Sequence, residues 1–214
     1  MAKRKIKPSP ALLLKVEKAF RDFGYGELSM LGMAKACELS TRALYNYFDN
    51  KEEAFRAAML FRNELALSNG FASGRQQREN GGSALDILSA IINIRFGDTR
   101  RLANASPHLV ELNAEVFTRC NDIVTTVALF FEAELAKEIV ELARAGFLKL
   151  RDDVTAEQLS QALSNGARGV NQRLPPVPPQ ELGYRYREMC RFILYGGAEL
   201  PAESARRRAS SETA

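Results

Sequence analysis

LSMLGMAKACELSTRALYNYFDNK, residues 28–51, contains two short helical patterns separated by a tight turn. Ser29 and Ser40 each precede one of these patterns, and a serine hydroxyl there can accept a backbone N–H two or three residues further on. Only residues 37–39 remain between the two helices. This arrangement predicts a helix-turn-helix, in which the second helix is presented to the major groove of DNA.

The second of these helices has an apolar and a polar side. Leu44 and Phe48 are four residues apart, so they point together towards a core. The other side chains carry hydroxyl, guanidinium and amide groups, which suit base edges and phosphates. Thr41 and Arg42 are the best candidates for base contacts, followed by Asn46. A pair of helices with a merely solvated polar face has the same pattern, so the pattern alone leaves both interpretations open.

The same stretch resembles the DNA-binding domain of the tetracycline-repressor (TetR) family of bacterial regulators. The resemblance rests on A-K-A-C-E-L before the turn and on L-S-x-R-A-L-Y-N-Y-F-D-N-K-E after it, and it covers about residues 11–60. It implies an all-α fold, with an N-terminal three-helix helix-turn-helix domain and a C-terminal helical domain for ligand binding and dimerisation. It also implies that Ser29, Tyr45, Tyr47 and Lys51 mainly hold DNA phosphates.

Two features depart from the family pattern. Leu31 and Gly32 stand where the family usually has polar or charged residues, which weakens any role of the first helix in reading bases. Glu38 lies in the turn where glycine is common. A non-glycine residue disfavours a positive φ, so the sequence predicts a slightly strained turn.

Positive charge is concentrated at the N-terminal end of the chain. Residues 1–51 hold ten Lys or Arg and five Asp or Glu, a net charge of +5, whereas the whole chain carries +4. A positive field confined to the helix-turn-helix part is what a phosphate-binding surface needs. Residues 1–9 form a basic arm, which either lies along a DNA groove or is a solvated terminus.

The composition argues against other chemistries. The three cysteines are far apart and the chain has one histidine, His108, so neither a metal site nor a cofactor is predicted. Unpatterned cysteines fit a reducing cytoplasm. The apolar run 11–14 ends at Lys15, so we expect neither a signal peptide nor a membrane span. An α-helical enzyme is disfavoured because no acid–base pair or phosphate loop is evident.

Helical patterns cover most of the chain. Residues 68–82 contain four glycines and predict a mobile loop, whereas residues 84–94 predict a central buried helix. Residues 106–145 predict one long helix, although a kink is an alternative because an unbroken helix of that length is unusual. We therefore predict a helix-turn-helix DNA-binding domain (1–50), a helical effector-binding and dimerisation domain (51–200) and a disordered tail (201–214).

Small residues in the segment 156–174 leave a flat face that another helix can approach closely. This face predicts a two-fold homodimer, in which segments 156–174 and 180–195 of both copies form a four-helix bundle. The predicted interface residues are Leu159, Ala162, Gly166, Gly169, Tyr186, Met189 and Ile193.

The resemblance further implies a ligand that releases the protein from DNA. A mostly apolar cavity with a few polar anchors would suit a small hydrophobic effector, uncharged or weakly acidic. The predicted lining residues are Ile87, Ile91, Asn113, Phe117, Cys120, Val124 and Phe131. A fully packed core without a cavity is the alternative interpretation of the same apolar patterns.

The predicted function is a cytoplasmic transcriptional repressor. It would bind a near-palindromic operator in double-stranded DNA as a homodimer, and its effector would release it. The alternative is a DNA-binding regulator or architectural protein without a small-molecule ligand, controlled by a protein partner.

Overall fold

The structure, a computed structural model, describes residues 6–196. These residues form helices and no β-strand, which confirms the predicted all-α fold class. The α-helices are α1 (Pro10–Phe23), α2 (Met30–Ala36), α3 (Thr41–Leu44), α4 (Lys51–Glu79), α5 (Ala84–Ile92), α6 (Thr99–Asn104), α7 (Leu109–Arg119), α8 (Asn121–Arg144), α9 (Ala156–Asn171) and α10 (Leu182–Tyr195). A π-helical segment (Asn93–Asp98) joins α5 to α6. The predicted tail, 201–214, and the start of the basic arm lie outside the described residues.

Side-chain caps fix where several helices begin. Ser9, Ser29 and Ser40 each accept the backbone N–H of the residue three positions ahead, at 3.1–3.2 Å. Thr155 and Gln158 form the reciprocal capping box that their spacing predicts. Each such cap typically contributes about 1 kcal/mol to helix stability. The starts of these helices are therefore encoded locally.

An N-terminal core is formed by apolar side chains of α1, α2, α3, the first two turns of α4, and Cys120. Phe20, Tyr25 and Phe55 form its aromatic centre, with ring centroids 4.8–5.8 Å apart. Leu44 and Phe48 are buried in it, as their spacing predicts. The helix-turn-helix therefore has a hydrophobic core that α1 and α4 complete.

The predicted mobile loop at 68–82 is wrong, because α4 continues without a break to Glu79. Two of the glycines that suggested a loop face α5 instead. A Cβ added at Gly74 would lie 2.6 Å from the Ile91 side chain, and one at Gly70 would lie 3.1 Å from the Ile91 carbonyl oxygen. These glycines allow two helices to approach closely, and that contact offsets their low helix propensity.

The predicted long helix over 106–145 is divided in two. Cys120 leaves helical geometry, with φ −126° and ψ 16°, and separates α7 from α8. Its side chain enters the N-terminal core, whereas Phe131, further along α8, enters a different core. Ser106, at the start of the predicted helix, does not cap α7, which begins at Leu109. Its hydroxyl donates to the Arg21 carbonyl at 2.6 Å and accepts the His108 N–H at 3.1 Å.

A C-terminal core lies among α5, α8, α9 and α10, with contributions from the second half of α4. The predicted buried helix at 84–94 is present as α5 and the start of the π-helical segment. Its Ile87, Leu88, Ile91 and Ile92 side chains are fully buried. No helix in residues 6–196 combines the length and the apolar character needed to span a membrane.

Candidate nucleic-acid interface

The turn between α2 and α3 gives the helix-turn-helix its geometry. Glu38 adopts a positive φ of 59°, as predicted, and is the one non-glycine residue in the described part of the chain that does so. Leu39 N–H then donates to the Ala34 carbonyl at 2.9 Å, which closes the end of α2. The Glu38 carboxylate accepts a hydrogen bond from Lys15 Nζ at 2.6 Å, and this bond lowers the pKa of Glu38.

The helix predicted to enter the major groove is short. Only Thr41–Leu44 is α-helical, and the chain then continues in tight turns, in which Asn46 N–H donates to Ala43 and Tyr47 N–H to Leu44. Arg42 is exposed, and Tyr45 is 48% exposed. Thr41, Asn46 and Tyr47 are half-buried on the same short segment. The guanidinium of Arg42 and the phenol of Tyr45 are therefore exposed, while Leu44 anchors the segment in the N-terminal core.

Two other predicted DNA-contacting side chains already have partners within the chain. The hydroxyl of Ser29 caps α2 and is itself exposed. Lys51 Nζ donates to the carbonyls of Tyr25 and Gly26, at 2.6 and 3.2 Å, and lies 4.5 Å from the Tyr25 ring centroid. Lys51 thus fixes the turn after α1 to the start of α4, and a phosphate would compete with these contacts.

The end of the basic arm lies beside the predicted recognition helix. Ile6 N–H donates to the Asn46 carbonyl at 3.0 Å. This bond places Ile6 beside the segment that carries Arg42 and Tyr45. The prediction that the basic arm lies along a DNA groove falls mainly on residues 1–5, which are outside the described residues.

The predicted effector residues are not gathered around one cavity. Ile87, Ile91 and Phe131 are fully packed in the C-terminal core, Cys120 lies in the N-terminal core and Val124 is half-buried. Asn113 and Phe117 are exposed on the outer side of α7. Two open pockets flank α4 instead, and none of the seven predicted residues lines either one.

The first of these, the α4–α6 pocket, has a volume of about 410 Å³ and lies between α4 and the segment from Ile94 to Ala105. The second, the α4–α8 pocket, has a volume of about 480 Å³. Arg62 lines the α4–α6 pocket and also forms an ion pair with the buried Glu17 of α1. The sequence contained a signal for this pair. Glu17 follows Leu13 by four residues on the apolar stripe of α1, which predicts a buried partner without identifying it.

Arg95 is the one strongly buried arginine among residues 6–196, and no carboxylate pairs with it there. Its guanidinium donates to Asn63 Oδ1 at 3.1 Å and lies 5.2 Å from the ring centroid of Phe96 and 5.8 Å from that of Phe131. Burial, together with the charge of Arg168, lowers the pKa of Arg95 to about 10. The aromatic faces and the amide partly offset the cost of burying this charge.

The predicted dimer residues fall into two groups. Ala162 and Gly169 are exposed on the outer side of α9. Tyr186 is fully buried and donates to Asn171 Oδ1 at 2.5 Å, so it cannot face a second copy. Leu159 is also buried in the C-terminal core.

Gly166, Met189 and Ile193 form a contact inside the chain. A Cβ added at Gly166 would lie 2.6 Å from Met189 Sδ and 3.1 Å from Ile193 Cδ1. Gly166 therefore allows α10 to approach α9. The exposed side of the same helix pair carries Phe192 and Tyr195, which are 49% and 62% exposed.

Comparisons with known proteins agree with this architecture. Residues 16–58 match the model of the bacterial regulatory proteins of the tetR family, over α1 to the first two turns of α4. No curated protein sequence matches the chain.

Several solved structures share the fold. The fatty acid degradation regulator FadR from Bacillus halodurans has a TM-score of 0.63 and 15% identity, over 91% of this chain and 100% of that one. FadR from Thermus thermophilus, a TetR-family repressor solved with lauroyl-CoA, has a TM-score of 0.58 and 18% identity, over 90% and 96%. The TetR-family regulator PfmR, also from Thermus thermophilus, has a TM-score of 0.57 and 20% identity, over 89% and 100%.

Proposed function

Because this chain belongs to the tetR family of bacterial regulatory proteins, DNA-binding transcription factors rather than enzymes, we propose that it is a cytoplasmic repressor. It binds a near-palindromic operator as a homodimer and leaves the operator when a small hydrophobic effector binds. In this proposal residues 1–50 contact DNA, and residues 51–200 dimerise and bind the effector. The observation that carries the proposal is the capped helix-turn-helix, with Arg42 exposed on its second helix and Tyr45 exposed at the end of that helix.

Arg42 is our principal base-reading residue, with Thr41 and Asn46 beside it. A guanidinium can donate two hydrogen bonds to a guanine edge, and such a contact is worth about 1–3 kcal/mol of discrimination. Ser29, Tyr45, Tyr47 and Lys51 hold the flanking phosphates. Because Lys51 also fixes the turn after α1, its removal would weaken binding partly by loosening that turn.

Arg42→Ala tests this assignment. An operator is first selected from random DNA with the wild-type protein, and affinities are then measured by fluorescence anisotropy. We expect Arg42→Ala to cost about 1–3 kcal/mol and to relax the sequence preference at one position in each half-site. Lys149→Ala, which removes one exposed positive charge from the segment between α8 and α9, is the matched control. Equal operator affinity and specificity in Arg42→Ala and the control would refute the role of Arg42.

A homodimer through α9 and α10 is supported by their outer surface. Ala162 and Gly169 leave this surface flat, and Phe192 and Tyr195 expose aromatic area next to it. Paired across a two-fold axis, the two helices of each copy would bury this apolar area in a four-helix bundle. Such symmetry requires an operator with two inverted half-sites.

Effector control requires a mechanical link between the two parts of the chain, and α7 with its flanking residues supplies contacts suited to it. Glu111 Oε1 accepts from Gly26 N–H at 2.6 Å, and Arg119 Nη1 contacts Glu52 at 2.8 Å. At the start of α8, Asp122 pairs with Arg56 of α4 at 2.6 Å, and this bond lowers the pKa of Asp122 to about 2. An effector acts only if it binds the arrangement that cannot hold DNA more tightly than the one that can.

The lauroyl-CoA bound to the Thermus FadR is in keeping with an effector that has an apolar chain. The second candidate function is a DNA-binding regulator controlled by a protein partner. It is favoured by Val110 and Phe117, which are 83% and 62% exposed on α7. A thermal-shift screen of hydrophobic metabolites separates the two, because only the first predicts compounds that both raise the melting temperature and release the operator.

A further inference from the structure

The α4–α6 pocket has the character of a site for an amphipathic molecule. Its apolar lining residues, which we call the pocket floor, are Leu65, Ala66, Ile94, Leu102 and Ala105. Its polar lining residues are Arg62 and Asn69 of α4, Asp98, and Thr99 and Arg101 of α6. Small-molecule sites typically combine an apolar lining with a few polar groups that orient the ligand.

The two arginines of this pocket differ in how their donors are used. Arg101 is engaged within the pocket wall, since it donates to Asp98 and to Asn93, each at 2.6 Å. Arg62 donates through Nη2 to Glu17, and its buried Nε has no hydrogen-bond partner in the described part of the chain. Arg62 is therefore the arginine of this pocket that has a buried donor without a partner.

Glu17 connects this arginine to the DNA-binding end of the molecule. It lies on α1, is 4% exposed, and its buried carboxylate is paired with arginines. Arg62 of α4 is one of these, and Arg21, one turn later on α1, lies 3.7 Å away as the second. If Arg62 turned away, Glu17 would keep one arginine, but α1 would lose its ion pair with α4.

We infer that the α4–α6 pocket binds a small amphipathic carboxylate, whose carboxylate takes Arg62 from Glu17 and thereby loosens α1 on α4. This inference rests on the proposed function and names the class of effector and the contact that it displaces. The Arg62 guanidinium can bind a carboxylate through Nε and one Nη together, which is a bidentate geometry. Its contact with Glu17 uses Nη2 alone. The apolar chain of the ligand lies on the pocket floor. The ligand and Glu17 compete for the Arg62 guanidinium. Ligand binding therefore weakens the attachment of α1 to α4, and the Glu17–Arg62 ion pair weakens ligand binding to the same extent.

The probe is octanoate, with octan-1-ol as the uncharged compound of equal chain length. Binding to the full-length protein is measured by isothermal titration calorimetry, and release from the selected operator by anisotropy. We expect octanoate to bind at least tenfold more tightly than octan-1-ol and to release the operator. Arg62→Gln should reduce octanoate affinity at least tenfold, whereas Arg75→Gln, on α4 but outside this pocket, should not change it.

Glu17→Gln is a second variant, and its expected effect is a gain in octanoate affinity, which misfolding could not cause. It removes the competitor for Arg62, so octanoate should bind several-fold more tightly than to the wild type. Unchanged or weaker octanoate binding in Glu17→Gln would overturn the competition, and equal binding of octanoate and octan-1-ol would overturn the anion site. A wild-type protein that binds its operator but ignores octanoate overturns this inference alone. A protein that selects no operator overturns the proposed function itself.

Discussion

Glu38 shows how one residue shapes the helix-turn-helix. Its positive φ lets the chain reverse between α2 and α3 within a few residues, and glycine would reach this geometry without a steric penalty. The side chain is exposed and contacts Lys15, so an ion pair accompanies the strained backbone. Exposed pairs of this kind contribute little to stability, and the strain is therefore only weakly compensated.

Two variants separate backbone strain from the ion pair. Glu38→Gln keeps the strained backbone and removes the pair with Lys15, whereas Glu38→Gly removes both. We expect Glu38→Gly to melt roughly 1–3 °C above Glu38→Gln, because relief of the left-handed strain exceeds the extra flexibility of glycine in the unfolded chain. Differential scanning calorimetry measures this difference. A lower melting temperature for the glycine variant would show that the turn is not strained.

The local structure of a residue could be predicted from the sequence when its partners are close in sequence. The serine caps, the Thr155–Gln158 box and the positive φ of Glu38 depend on neighbours within a few positions, and each follows from the sequence. Lys51 was predicted only as a phosphate ligand, because its carbonyl partners in the turn after α1 are 25 and 26 residues away. The DNA-contact and effector assignments stay predictions.

At the scale of helices, the errors arose where tertiary contacts override local preference. Glycine-rich residues 68–82 resemble a loop locally, but Gly70 and Gly74 are where α4 meets α5. The break at Cys120 has a similar origin, since the helices on its two sides serve different cores. In both segments the packing partner determines whether the chain stays helical, and no local sequence pattern identifies that partner.

The glycines of α9 illustrate a further distinction, between contacts within the chain and surface open to a second copy. Gly166 faces Met189 and Ile193 of α10, whereas a Cβ at Gly169 would meet nothing within 4 Å. A bulky residue at 166 therefore damages the folded protomer itself. Of these two glycines, only Gly169 can be changed to test the proposed dimer face without disturbing the packing beneath it.

We expect Gly169→Glu to give monomers, because two copies of the new charge would meet near the two-fold axis. Glutamate has a higher helix propensity than glycine, so the protomer should remain folded, with its circular dichroism unchanged. Sedimentation velocity at micromolar concentration measures the association, with Gly146→Glu as a control. Gly146, like Gly169, has no neighbour within 4 Å, but it lies after α8, and its positive φ of 78° adds strain there. A dimer of unchanged affinity in Gly169→Glu would place the interface elsewhere.

In the whole molecule, two hydrophobic cores share helix α4 and are joined by polar contacts around α7. The α7–α8 connection reaches the N-terminal core through Cys120, whose pKa burial raises to about 11. Glu111 and Asp122 add their contacts to Gly26 and Arg56 on either side of it. A regulator needs such a junction to be strong enough to transmit a change and weak enough to be altered by a ligand.

This balance predicts how the protein unfolds when the junction is weakened. The wild type should unfold in a single calorimetric transition, because the two cores support each other. The double variant Glu111→Ala/Asp122→Ala should separate this into two transitions, with hydrogen exchange in α1 and α2 accelerated well before exchange in α5. The control is Glu134→Ala/Glu141→Ala, which removes two carboxylates of α8 that pair with Lys137 and Arg144 on the same helix. If the junction variant and the control both unfold in one transition, apolar contacts across α4 hold the cores together, and α7 cannot be the main link between effector and DNA.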